Sequence, residues 1–176
     1  MQCLTKLIND FNNTIDAWIA ELGTFDFEKL ITKPDAESWS LGQVYMHLIN
    51  ETDYYIEQIE ASTNNNANLS QEMTDIGKSM FRSNAFPEVK IKGDPASTDK
   101  IQQPQSKTGL HDDMLALKQR MNRAAQSLVN TTATGKTQHP GLGYFSGPEW
   151  LQFADMHLRH HLRQKERIKN FLANQH

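Results

Sequence analysis

Residues 139–168, HPGLGYFSGPEWLQFADMHLRHHLRQKERI, hold four of the chain's seven histidines: His139, His157, His160 and His161. Imidazole is both a divalent-metal ligand and a proton carrier near neutral pH, so spacing decides which chemistry is open here. His157 and His161 stand at i and i+4, which stacks their rings a turn apart on one helical face, close enough to hold one ion together. HExxH zinc helices use the same geometry, but Leu158 follows His157 here, so that motif's glutamate base is missing. The paired Glu-x-x-His motifs of di-iron bundles are missing as well. The pair alone leaves two readings open: part of a metal site, or core histidines whose buried nitrogens are satisfied by hydrogen bonds.

A catalytic zinc-type site takes three protein ligands and keeps a fourth position for water or substrate. His47, His111 and His139 are the candidates for the third. His47 falls inside a helical pattern, at the flank of its apolar arc with Gln43, Glu51 and Gln58. From the residues alone it reads as a boundary residue rather than a ligand.

Four amphipathic segments must position these groups. Leu4, Leu7, Ile8, Phe11, Ile15, Trp18, Ile19 and Leu22 recur every three or four residues and stop at Gly23, which predicts a first helix. Ser40 with Gln43 three residues later reads as a capping box opening a second helix that ends near Ser62. Leu110, Met114, Leu117, Met121, Ala124, Ala125 and Leu128 mark a third, ending by Asn130. Ser146 and Glu149, with Pro148 in the first turn, open a fourth that is expected to run unbroken nearly to the C-terminus. Its apolar arc carries Trp150, Ala154, His157, Leu158, His161, Ile168 and Leu172, with His160 at the edge. Asp155, Arg159, Arg163 and Arg167 form the opposite, solvated face.

No segment alternates as a strand should, so the predicted fold class is all-α, an antiparallel four-helix bundle with one domain over residues 1–176. Between the second and third helices, residues 63–108 are asparagine-rich and punctuated by Pro and Gly, a long crossover by composition. Within it, QEMTDIGKSMFRS reads as one short helix and EVKIKG as one extended piece. The glycines of GLGYFSG lack the lysine and hydroxyl ending of a phosphate-binding loop and read as serving the turn into the fourth helix.

With 176 residues and 38% hydrophobic content, the chain can bury a core without covalent staples. Its single cysteine, Cys3, allows no internal disulfide, which suits a reducing cytoplasm. No stretch approaches about 18 apolar residues, and Thr5, Lys6, Asn9 and Asp10 interrupt any leader-like run, so neither membrane nor secretion is expected. A net charge of −3 argues against a general nucleic-acid binder. The basic run RHHLRQKERIK reads as a solvated face complementing a helix dipole.

Two motifs taken together are more specific than HxxxH. WSLGQVYMHLI, followed by the HP-x-x-G, S-x-x-E-W and H-x-x-H-H-x-x-Q elements of residues 139–164, resembles the DinB-like (DinB/YfiT) superfamily of metal-binding four-helix bundles, in a branch known chiefly as a domain of unknown function. The resemblance implies a divalent metal, zinc or nickel, held by one histidine of the second helix and an HxxxH pair of the fourth: His47, His157 and His161. The doubled His160–His161 leaves the register open by one residue, with His160 as the alternative. Gln164 falls near the same face, where it can orient an imidazole or make an interhelical hydrogen bond. Glu51, one turn beyond His47, is the candidate base.

Some members of the superfamily are thiol S-transferases or thiol-dependent isomerases using a low-molecular-weight thiol. The resemblance therefore implies a metal-dependent transferase or hydrolase acting on a small-molecule substrate, with a homodimer as the common assembly. The alternative is a metal-binding or scaffold bundle without turnover.

Overall fold

The computed structural model describes residues 3–87 and 101–174. Helix α1 spans Leu4–Leu22 and is followed by a short α2, Phe27–Ile31, which the sequence reading did not foresee. Helix α3 spans Leu41–Thr63, α4 Asp75–Ser83 and α5 Lys107–Asn130. A hairpin of β1, Lys136–His139, and β2, Gly143–Ser146, leads into α6, Gly147–His160, and α7, Leu162–Ala173.

The long helices α1, α3, α5 and the α6–α7 pair form a four-helix bundle. Each apolar stripe turns inward, as the three-and-four spacing requires. Phe11, Ile15, Trp18 and Leu22 of α1 meet Val44, Tyr45, Leu48 and Ile59 of α3, Met114, Leu117 and Met121 of α5, and Trp150, Ala154 and Leu158 of α6, all buried.

Chain direction follows from which ends meet. Lys107 at the start of α5 donates to the Gly23 carbonyl at the end of α1, so these two helices run oppositely. Thr131 just past α5 donates to the Thr63 carbonyl at the end of α3, so α3 and α5 run the same way. Parallel neighbours need a long connection, which accounts for the crossover between them. The predicted short helix is present as α4, capped by Thr74, whose hydroxyl accepts from the Gly77 amide, and closed by Asn84 in the left-handed conformation at φ 49°. The expected extended piece, residues 88–93, lies outside the described residues. The chain returns at Ile101, whose carbonyl accepts from the Gln43 side chain at 2.6 Å beside the start of α3.

Both expected capping boxes are present, Ser40 with Gln43 and Ser146 with Glu149. Each starts a helix at a defined residue, and each of those helices carries histidines. The segment before α6 differs from the expectation of a plain loop, because residues 136–146 pair as an antiparallel hairpin that places His139 at a strand end. Gly143 makes this workable. Its φ is +87°, and a Cβ there would come within 2.5 Å of the Glu72 carbonyl oxygen. The bare backbone lets the 72–74 segment dock, with Tyr144 donating to the Glu72 carbonyl and Thr74 to that of Leu142.

The expected unbroken fourth helix is corrected. It is interrupted at His161, whose backbone sits at φ −78° and ψ −6°. The indole N–H of Trp18 donates to the Leu158 carbonyl at 3.2 Å, three residues before this interruption.

A three-histidine candidate metal centre

His47 comes from the second turn of α3, His157 from the end of α6, and His161 from the break before α7. The Nε2 atom of His157 is 3.2 Å from Nε2 of His47 and 3.2 Å from Nε2 of His161. One ligand-type nitrogen from each residue can be chosen so that all three lie within 4.8 Å of one another. Three ligands at zinc–nitrogen distances in a tetrahedral arrangement stand about 3.3 Å apart. The spacing found here is that of a set of donors able to share one ion.

The chemistry of the donor set fits as well. Among the described residues, His157 Nδ1 is buried with no hydrogen-bond partner, while its Nε2 faces two other imidazoles. A single N–H on Nε2 can serve only one of those two neighbours. One cation would satisfy all three lone pairs and offset the cost of burying them.

Protonation is suppressed throughout the cluster. Burial, reinforced by His161 and His160, pushes His47 from the ordinary 6.5 down to about 3. Burial pushes His161 to about 4 against the opposing hydrogen bond from Gln164. His157, fully enclosed, is held well below the ordinary value by burial and then by its histidine neighbours. Neutral imidazole is the ligand form, so at neutral pH all three are ready to coordinate.

The neighbours orient these rings. His161 Nδ1 lies 2.8 Å from Gln164 Oε1, so the N–H on Nδ1 donates to the amide oxygen and the lone pair is left on Nε2. Trp39 packs on His47 with ring centroids 5.0 Å apart. Tyr55, buried on α3, sets its ring edge-on to His157 at 5.7 Å and donates its hydroxyl to Glu51 Oε2 at 3.2 Å. Glu51 is thereby fixed one turn beyond His47. Phe86 tilts against His157 and stacks on His160 at 4.8 Å.

His160 is drawn to that aromatic partner and stays outside the cluster. In the structure His161 converges on His47 and His157, and His160 lies at the rim. Of the other third-ligand candidates, His111 is half-exposed beside Asp112, and His139 stacks on Trp150 at 5.6 Å. Trp150 is fully buried, its indole donating to Thr137 Oγ1 at 2.7 Å. The sequence reading missed Trp18, Tyr55 and Phe86. Trp18 and Tyr55 were signalled only by membership of an apolar pattern, which does not distinguish a wall of the site from ordinary core, and Phe86 lies in the crossover, outside any such pattern.

The expected solvated face of α6 also needs correction. Asp155 is buried, because Thr14 donates to its Oδ1 at 2.6 Å and Arg159 Nε to its Oδ2 at 2.9 Å. Lys165, likewise buried, and Lys169 pair with Glu21 of α1. Much of the basic run is thus committed to internal acidic partners. Among the described residues, no helix is long and apolar enough to cross a membrane.

The fold resembles that of YfiT from Bacillus subtilis, described as "a probable metal-dependent hydrolase with an unusual four-helix bundle topology", with a TM-score of 0.65 at 14% identity over 97% of this chain and 87% of that one. No curated protein matches the sequence. The family model of the DinB superfamily matches residues 6–164, nearly the whole length and all three converging histidines, and the chain belongs to that superfamily.

Proposed function

We propose that this protein is a divalent-metal-dependent enzyme, of the thiol S-transferase or hydrolase type, whose metal is held by His47, His157 and His161. The observation that carries the reading is the convergence of three neutral, largely buried imidazoles, with His157 Nε2 3.2 Å from Nε2 of each of the other two and the outer nitrogen of His161 anchored by Gln164. Three protein ligands leave a coordination position for water or substrate. When bound, the metal supplies a lowered pKa for a coordinated water or thiol, and so a nucleophile at neutral pH.

The remaining roles belong to side chains. His161 presents Nε2 because its Nδ1–H donates to Gln164 Oε1. Glu51, fixed by the Tyr55 hydroxyl, is the proton acceptor beside the site. Trp39 and Phe86 flank the histidines with apolar surface, which favours a small-molecule substrate, a low-molecular-weight thiol among them. Zinc or nickel is the proposed ion, since a set of neutral nitrogen donors suits both. The proposed setting is the cytoplasm, with a homodimer as the assembly and neither nucleic acid nor membrane as partner.

The test is elemental analysis of the purified wild type and of a His157→Ala/His161→Ala variant. About one ion per chain in the wild type and little in the variant is expected; equal content in both removes the ligand assignment. Thiols paired with electrophiles, and hydrolysable esters and amides, are then assayed with and without chelator. Metal-loaded protein with no chelator-sensitive turnover would establish a binding bundle in place of an enzyme.

A further inference from the structure

Trp18 reaches the histidines through their neighbours. Its indole N–H donates to the carbonyl of Leu158, which stands between His157 and His161 in the chain. Tyr45, two residues before His47, packs edge-on to the indole at 5.1 Å and donates its hydroxyl to the Trp18 carbonyl at 2.8 Å. Lys165, one turn beyond His161, holds its ammonium 4.7 Å from the centre of the Trp18 ring and pairs with Glu21 on the same helix as Trp18. Trp18 is fully buried, so these contacts leave it one orientation.

The Leu158 carbonyl would ordinarily accept from the amide four residues on, the first residue of α7. An indole donor competing for it favours an opened turn. The backbone opens at this place, with ψ of His161 at −6° against about −42° in a regular helix. His161 lies on the opened turn, with Nε2 aimed at His157 and Nδ1 held by Gln164.

We infer that Trp18 is a positioning residue for the three-histidine site: it opens the helix at His161 and sets α3 against α6, so that the three Nε2 atoms converge. The inference rests on the metal reading above for its purpose. Its structural part, that the indole donor makes the break, stands independently.

Trp18→Phe keeps a ring and removes the donor. Trp150→Phe is the matched control, since it removes another buried indole donor at the hairpin end of the bundle. Both lose stability, which a merely structural role would also produce. Cobalt(II) is the probe that separates them: its affinity by chelator competition and its visible absorption, which is intense for four-coordinate and weak for six-coordinate ion.

Trp18→Phe is expected to bind cobalt about 10- to 100-fold more weakly, with a weakened band, as for loss of a group that orients ligands. Trp150→Phe should match the wild type. Wild-type affinity and spectrum in Trp18→Phe, or an equal loss in Trp150→Phe, overturns the proposal. If Trp18→Phe does not fold, benzothienylalanine at position 18 keeps the ring shape without the N–H and carries the same expectations.

A wild type that binds no cobalt overturns the metal reading by itself. Backbone carbon-13 shifts of the metal-free proteins at residues 159–163 then decide the structural part. A break that closes in the Trp18 variants supports it, and an unchanged break overturns it.

Discussion

The Nε2 atoms of His47 and His157 lie 3.2 Å apart although 110 positions separate the residues. Two capping boxes bring this about. Ser40 starts α3 about two turns before His47, and Ser146 starts α6 about three turns before His157. The two helices run oppositely, with Tyr55 meeting Trp150 and Phe153 one or two turns from where His47 meets His157. Tyr55, edge-on to both Phe153 and His157, ties this seam to the site.

Gln164 fixes the side of the His161 ring that carries the proton. Gln164→Ala removes the acceptor at Nδ1 and lets the ring turn and tautomerise, so metal affinity should fall about 10- to 100-fold while the fold is kept. Competition titration with a chromogenic chelator measures this. Unchanged affinity would show that the hydrogen bond serves only the helix start.

Acid should destabilise the metal-free protein earlier than carboxylate titration alone would. In the folded state His47 is pushed to about 3 and His161 to about 4, whereas the unfolded chain protonates them near 6.5. Below 6.5 the unfolded state therefore binds more protons. Stability is full above that value and is lost as pH falls through the window toward 4 and 3, by on the order of a few kcal/mol in total. Chelator-treated protein, unfolded in urea across this range, should show the loss. A His47→Gln/His161→Gln variant should show a shallower one, and identical slopes would contradict the assignment of neutral, buried imidazoles.

Asp155 is a brace and not part of the site. Asp155→Ala leaves the Thr14 hydroxyl and the Arg159 guanidinium without their shared acceptor, a cost of about 2 kcal/mol given that Arg159 is partly exposed. Metal content should be unchanged. Denaturant unfolding and elemental analysis of the same sample check both halves, and loss of metal would tie this brace to the histidines.

Much of the architecture was legible because helices write a period into the chain. The spacing of Leu110, Met114, Leu117 and Met121 marked a helix whose observed end, Asn130, is the expected one. The hairpin was not legible: Lys136–His139 and Gly143–Ser146 are only four residues each and lack clean alternation, and their pairing depends on the 72–74 segment docking against Gly143. Asp155 misled for a similar reason. A carboxylate on a polar helical face reads as solvated until a partner from another helix, Thr14, covers it.

For the site, the sequence by itself determined that imidazoles would be paired and half of their geometry. An i, i+4 pair must share a helical face whatever surrounds it, and the motifs around His47 marked that residue by resemblance where its own helical angle did not. Helical angle already put His161 on the inward arc and His160 at its edge, but only the tertiary structure supplied the contacts that hold them there. Phe86 stacks on His160, Gln164 holds His161, and Trp18 reaches from α1 to the Leu158 carbonyl. These contacts join residues far apart in the chain, where helical periodicity carries no information, and so only the packed bundle contains them.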